Sequence, residues 1–447
     1  MPFKPQRSSN ALARPVLGIA LALAFTSVAQ AQSLNEVYEA ARGFDATYLA
    51  ARALADSAQY RAEQAHGLRR PTVGASLGAA RTTSDFPTTG DTTQKTVSAG
   101  LSATQPLFNR ANDATIAQAD KSLEIAKADL ETAEQELIVR VAQDYFDVLA
   151  AQDALETAQA NKRAIAEQLA SAKRNFEVGT ATITDTREAQ ARYDLATAQE
   201  IAADNDLRTK RIALDTLVGH TDVAPKPLAT PVSLAPVLPG TVNDWVTPVE
   251  DSPPVRKARL GYDVAKLETD KARAGNLPTV DFAASYGKGH ASVDVNPLPS
   301  MSGSTTSSSI GVTLKLPLFA GYQIQNRVKE TILLEDQARN NLDAARRSVA
   351  QATRQAYFGV ESGQAQVKAL EAAESSSQLA LEATQLGYKV GVRVNLDVLN
   401  AQTQLFTTRR DLAKARYDVL VGSLKLRQAA GTLKPDDVLT VNRLLSK

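Results

Sequence analysis

Two periodicities alternate along the chain. From 111 to 178 no Gly or Pro occurs, and the composition is mostly Ala, Glu, Gln, Leu, Lys and Arg, with apolar residues at heptad spacing as at Leu123, Leu130 and Leu137. Strong helix formers with a helical apolar period predict one uninterrupted helix, of about 100 Å at 1.5 Å per residue. Residues 322–386 repeat this pattern with no Pro and only Gly359 and Gly363. Each long helix leads through a tight turn into a further helix. A helix near 34–68 and a shorter one near 254–275 precede the segments of the other periodicity. There Val97, Ala99, Leu101 and Ala103 alternate with Ser98, Gly100, Ser102 and Thr104. Ile310, Val312, Leu314 and Leu316 alternate likewise, as do Val73–Ala79 and Val280–Tyr286. Period two with one apolar and one polar face predicts strands. Each runs about ten residues, enough to cross a bilayer at a tilt, with polar Thr/Ser/Gly loops expected at 82–95 and 287–308.

The chain contains its own plan twice. Tyr145-Phe146 returns as Tyr357-Phe358, and Val178-Gly179 and Asp185 return as Val390-Gly391 and Asp397, all shifted by 212 residues. Gln105-Pro106-Leu107-Phe108 returns as Leu316-Pro317-Leu318-Phe319 at a shift of 211. This is one large duplication rather than a short-period solenoid. The expected organisation is a first repeat at 32–219, a Pro-rich connecting, equatorial segment at 220–253, a second repeat at 254–431 and a C-terminal tail at 432–447. A short helix is expected near 243–249, with Trp245 in a small core of the connecting segment.

Residues 1–31 read as a secretory signal peptide: Lys4, Arg7 and Arg14 precede the apolar run 16–25, and Ala29-Gln30-Ala31 fits a small-x-small cleavage site. No later segment has the ~20 continuous apolar residues of a membrane helix, so any crossing must use strands. Lys+Arg total 50 and Asp+Glu 49, a balance with no overall pull toward nucleic acid. Cys is absent, and the three His (His66, His220, His290) are far apart. That excludes disulfides, thiolate metal sites and a thiol nucleophile, and argues against a His cluster. No cofactor is expected, and no arrangement suits catalysis. Gly287-Lys288-Gly289 lacks the strand-to-helix context of a phosphate loop, and His290 is expected on an external loop.

Four strands cannot close a barrel, and an open edge in lipid leaves backbone groups unsatisfied. The strands taken alone would also suit an ordinary antiparallel sheet on a soluble core; if they sit in a membrane, several chains must share one barrel: two would give eight strands, nearly filled by side chains, and three would give twelve, with a lumen. Competing readings are a periplasmic coiled-coil adaptor, which would have one hairpin flanked by compact β modules, and a helical scaffold, which would not need strand alternation.

The long helices, the paired strands of each repeat, the Pro-Leu-Phe strand ends and the turn Gly387-Tyr388-Lys389-Val390-Gly391-Val392-Arg393-Val394-Asn395-Leu396-Asp397 together resemble the TolC family of outer-membrane channel proteins. The likeness covers essentially the whole chain after residue 31. It implies a mainly α fold with transmembrane β: a homotrimer with a twelve-stranded barrel held in outer-membrane lipid and a coiled-coil α-helical tunnel across the periplasm. It further implies an exit duct for type I secretion or efflux, with a periplasmic adaptor (membrane fusion) protein and an inner-membrane transporter as partners. By the resemblance, Thr184, Asp185, Tyr388 and Arg393 match residues that latch the closed state. Asp397 matches a carboxylate at the constriction, and Asn400 stands where a second acid is usual. Gly179, Thr180, Gly391 and Val392 at the turns are the expected adaptor contacts. Gly suits such reversals because it takes the left-handed conformation cheaply. Capping chemistry is also expected there: Asp185 with Glu188 as a capping box, and Asn395 or Asp397 as an N-cap. Tyr145, Phe146, Tyr357 and Phe358 are expected to pack between helices.

Overall fold

The computed structural model describes residues 31–86, 90–229, 231, 236, 240–295 and 299–446. The leader expected at 1–31 lies outside these but for Ala31. The order is α1 (Leu34–Phe44), α2 (Ala46–His66), β1 (Thr72–Phe86), β2 (Gly90–Phe108), α3 (Arg110–Glu177), α4 (Ile183–Val218), α5 (Val242–Val246), α6 (Pro253–Ala274), β3 (Thr279–Val295), β4 (Met301–Lys315), α7 (Gln323–Lys389), α8 (Asn395–Ala429) and α9 (Pro435–Asn442). The long helices stand as expected, at 68 and 67 residues. Asn109 starts α3 by accepting from the Ala111 and Asn112 amides at 3.1 Å each, which satisfies two of the four orphan donors of a helix start.

Two expectations are corrected. The helix expected over 34–68 is broken at Asp45, whose backbone leaves the helical region (φ −58°, ψ 115°) and whose carboxylate accepts from the Tyr48 amide at 2.7 Å and from Arg140 at 2.9 Å. The break lets α1 and α2 each pack on α3 along its own line. The polar segments at 82–95 and 287–308 are strand for most of their length, not loops, and His290 lies inside β3, bonded to Ser304. Ladder pairing is made by the backbone, so strands run on after the apolar alternation ends.

The four strands form one antiparallel sheet in the order β1-β2-β3-β4, so β2 and β3 join the two repeats side by side. Register puts Val73, Ala103, Ala284 and Ile310 across one face, and Ala75, Leu101 and Tyr286 next to them. The opposite face carries Ser76, Gly100, Ser285 and Ser309, with a bond of 2.8 Å between the two latter hydroxyls. Among the described residues no helix packs on the sheet: apart from its own pairing its main neighbour is the short 3-10 turn at Gly67–Arg69. Its apolar face is therefore uncovered, with Leu77 88% and Ile310 79% exposed. A soluble antiparallel sheet buries such a face on a core, and this one does not. Among the described residues no helix is long and apolar enough to cross a membrane.

The core is a collar partway along the helices. Tyr145 and Phe146 of α3 are fully buried with α1, the C-terminal ends of α4 and α8, and α9, and Phe146 stacks on Tyr417 at 5.6 Å between centroids. The Tyr145 hydroxyl donates toward the Gln32 and Lys226 carbonyls at 3.0 and 3.1 Å and accepts from the Lys226 amide at 2.8 Å. Its counterpart Tyr357 donates to the Gly240 carbonyl at 2.8 Å, and Trp245 packs beside it. Phe358 departs from the expected helix packing and is 54% exposed on this chain.

Gly431 ends the second repeat with φ 74°, and a Cβ there would lie 2.4 Å from the Ser252 Cβ. Gly391 has a similar φ of 82° but open space around it. Gly431→Ala should therefore lower stability by roughly 2–4 kcal/mol, from left-handed strain plus overpacking. Gly391→Ala should cost only about 1–2 kcal/mol. Thermal melts of the two variants check this, and an inverted order would contradict it.

Candidate functional site: the two hairpin tips

Both helical hairpins reverse by the same device. After α3 the Thr180 amide reaches back to the Asn175 carbonyl at 2.8 Å and the Gly179 amide to Phe176 at 3.0 Å, with Gly179 at φ 82°. After α7 the Val392 amide bonds the Gly387 carbonyl at 2.9 Å and the Gly391 amide bonds Tyr388 at 3.1 Å, with Gly391 also at φ 82°. This is the Schellman arrangement, which satisfies the last carbonyls and needs a left-handed residue. The tips lie at the far end of the hairpins from the strands. Gly179, Thr180, Gly391 and Val392 are all exposed there. Apolar side chains stand in solvent around them, among them Val178, Leu386, Val390, Val392 and Val394.

Past the turns the two copies differ. Thr182, not Asp185, is the N-cap of α4; Asp185 sits at the third helical position and closes the box. The correction follows from the bonds. The Asp185 amide donates to Thr182 Oγ1 at 3.2 Å, while Asp185 Oδ2 accepts from the Thr182 amide at 2.9 Å and its hydroxyl at 2.8 Å. Oδ1 has no partner among the described residues. In the second copy Val394 occupies the N-cap with no side-chain bond, so neither Asn395 nor Asp397 caps. Asn395 is buried and accepts from Gln168 of α3.

The chain brings some of the expected site residues together and leaves others apart. Arg393 Nη1 lies 3.6 Å from Asp397 Oδ2, a long and exposed pair of the kind worth little. The Tyr388 hydroxyl accepts from Asn175 Nδ2 at 3.1 Å, which leaves its own hydrogen to donate. Asn400 Oδ1 accepts from Arg192 of α4 at 3.0 Å. Thr184 is exposed. Within one chain neither Tyr388 nor Arg393 bonds Asp185.

Sequence reasoning passed over Asn175, Gln168 and Arg192, and took Gly387 only as the start of the turn. The first three are the first-copy partners of Tyr388, Asn395 and Asn400. Gly387 has no side chain because the Arg393 stem lies on it: a Cβ would stand 2.8 Å from Arg393 Cγ. The duplication carried a signal, since Asn175 is the first-copy counterpart of Gly387 and Ala181 of Arg393.

Higher up the seam between the hairpins, Tyr417 of α8 donates to Asp153 of α3 at 2.7 Å. Burial pushes the Asp153 carboxyl above the usual range, the Tyr417 bond pulls it back, and Glu156 raises it again. Nearby Asp144 is also raised, first by burial and then by Asp147.

A family model described as "Outer membrane efflux protein" matches residues 37–220 and 249–432. The chain is 31% identical over 441 residues to the outer membrane protein TolC of Escherichia coli (strain K12), which covers 97% of this chain and 88% of that protein. It is 33% identical over 350 residues to the alkaline protease secretion protein AprF of Pseudomonas aeruginosa, covering 76% of this chain and 70% of that protein. Among solved structures, the crystal structure of the outer membrane protein VceC from Vibrio cholerae aligns with a TM-score of 0.75 at 20% identity, covering 89% of this chain and 96% of that one. The last likeness speaks for the fold alone.

Proposed function

This chain belongs to the outer membrane efflux protein family, and from that membership we infer that three copies pool their sheets into one barrel and their hairpins into one tunnel gated at the tips. The protein is an outer-membrane exit channel for secretion or efflux, reaching into the periplasm. The observation that carries this reading is the apolar sheet face that no helix covers among the described residues, together with the edge positions of β1 and β4. Lipid is the solvent such a face needs, and closure is what such edges need. The adaptor alternative is not favoured: the described residues form two helical hairpins and one four-stranded sheet. Its relatives bear the names of membrane and secretion components, which accords with a non-enzyme.

The conduit has no energy source of its own. A periplasmic adaptor grips the exposed tips at Gly179, Thr180, Gly391 and Val392, and an inner-membrane transporter drives the cargo. Neighbouring hairpins are latched by Tyr388 and Arg393 of one meeting Thr184 and Asp185 of the next. Asp185 Oδ1 supports this, because the cap leaves that oxygen without a partner among the described residues, and an Arg fork suits a carboxylate. Asp397, one per chain, lines the constriction, with Asn400 beside it in place of a second acid.

Purified protein in detergent should run as a heat-labile trimer and form cation-preferring pores in planar bilayers. Asp397→Asn should shift the reversal potential toward zero under a salt gradient, since a ring of carboxylates favours cations. A water-soluble monomer that forms no pores would remove the channel reading, and an unmoved reversal potential would remove Asp397 from the lining.

A further inference from the structure

The uncovered sheet face has a boundary with a chemistry of its own. Reading outward from the helices, the apolar alternation ends at Ala79 on β1, Val97 on β2, Tyr286 on β3 and Ile310 on β4. The next residue outward on the same face is Arg81, Lys95, Lys288 and Ser308 respectively. Three of the four strands thus place a cation at the first step past the apolar band. The boundary is not level with the ladder: Val97 pairs with His290, but the band on β3 already ends at Tyr286, which pairs with Leu101. It descends across the sheet, as the edge of a hydrocarbon layer does when strands tilt against the barrel axis.

We propose that Arg81, Lys95 and Lys288 form a belt that binds the phosphates of bisphosphorylated glycolipid headgroups in the outer leaflet, holding those lipids against the barrel wall. The proposal rests on the reading of this chain as a membrane barrel. Arg81 and Lys95 sit directly opposite each other on neighbouring strands, and like charges so placed repel unless an anion lies between them. Lys95 has one acidic partner, Asp294 at 3.4 Å with both side chains exposed, while Arg81 and Lys288 have none among the described residues. Further outward the same face carries Asp85 opposite Asp91, so the positive charge is confined to the boundary. A lipid fits both halves of this surface. Its acyl chains lie along Leu77 and Val97 while its phosphate meets the planar Arg81 fork and the Lys95 ammonium. A free anion would satisfy only the second half.

The test is native mass spectrometry of the detergent-extracted trimer incubated with bisphosphoryl lipid A, phosphatidylethanolamine or inorganic phosphate. Wild-type protein should retain the bisphosphorylated lipid in preference to phosphatidylethanolamine. Arg81→Gln with Lys95→Gln and Lys288→Gln should reduce the retained fraction by about tenfold or more, since each cation near an anionic surface contributes several-fold. The charge-keeping set Arg81→Lys, Lys95→Arg and Lys288→Arg should stay within about twofold of wild type. Equal retention by the glutamine protein overturns the proposal, as does equal loss in the charge-keeping set. Displacement of the lipid by inorganic phosphate at the same concentration also overturns it, because the site then takes free anions. If the triple glutamine protein yields no trimer, Lys288→Gln alone is read instead, with about a threefold loss expected and no loss overturning the belt. Pore formation by wild type separates the two layers of argument: with no pores the channel reading falls and takes the belt with it, whereas normal pores with unaltered lipid retention dispose of the belt alone.

Discussion

Replacing Tyr388 by Phe together with Arg393 by Ser should raise the single-channel conductance several-fold in a planar bilayer. Both side chains are placed for a bond their own chain does not use. The Tyr388 hydroxyl accepts from Asn175 and keeps a hydrogen to donate, and the Arg393 guanidinium has, among the described residues, a single 3.6 Å contact to Asp397, its stem lying over Gly387. Asp185 offers the matching acceptor, its Oδ1 left over after Oδ2 closes the cap with Thr182. A hydrogen bond to a charged group contributes about 1.5–3 kcal/mol, discounted toward about 1 kcal/mol where solvent reaches it. Two bonds lost at each of three interfaces still amount to several kcal/mol, and about 5.5 kcal/mol carries an equilibrium from mostly closed to mostly open. Phe and Ser leave the Schellman turn untouched, since its bonds are backbone bonds. Conductance unchanged in an intact trimer would exclude these residues from the gate. Asn175→Ala, which removes only the intrachain partner, should leave conductance nearer to wild type than the double variant does.

Leu77→Arg should nearly abolish assembled trimer in membranes, whereas Ser76→Arg, one residue away, should leave trimer yield largely intact. Leu77 lies within the apolar alternation of β1 and is 88% exposed, on the face that carries Ala99 across the ladder. Arg on the lipid side of a barrel costs about 2–4 kcal/mol at the midplane, and the trimer bears the cost three times. Ser76 pairs with Gly100 on the other face, where a lumen would hydrate the new charge. Its effect should show in ion selectivity instead. The check is the heat-labile trimer band of extracted membranes for both variants. Equal loss in both would mean that the two faces are not lipid and lumen.

What could be read before the structure follows from where each instruction is written. The long helices were legible because helix formation is local, and 111–178 contains nothing that would interrupt it. The inner parts of the strands were legible because lipid imposes alternation on one face. Their outer parts were not, because there neither face keeps an apolar alternation, Ser, Thr, Gly and charged residues being spread over both, and a ladder made by backbone groups leaves no trace in side-chain pattern. The break at Asp45 was hidden for the opposite reason: its cause is Arg140, far away in sequence, which completes the carboxylate that turns the chain. At the tips, glycine marked both reversals. The capping pattern misled by three residues, because Thr182 competes with Asp185 for the N-cap and the shorter hydroxyl side chain takes it. The contacts of Tyr388, Asn395 and Asn400 run between repeats, and the duplicated positions alone could have suggested them.

The phenol of Tyr145 joins two stretches of chain that are remote from one another, at Gln32 and Lys226, and that of Tyr357 ties α7 to Gly240. This sets an order of events in biogenesis. Helices propagate from neighbour to neighbour and need no distant partner, whereas contacts between remote segments form late, after loop closure. Contact order therefore predicts that the waist closes after the rods that cross it have formed, in company with the equally remote pairing of β2 with β3. Pulsed hydrogen exchange during refolding should accordingly show the Lys226 amide, held by the Tyr145 hydroxyl, protected later than the interiors of the long helices; earlier protection would contradict that order.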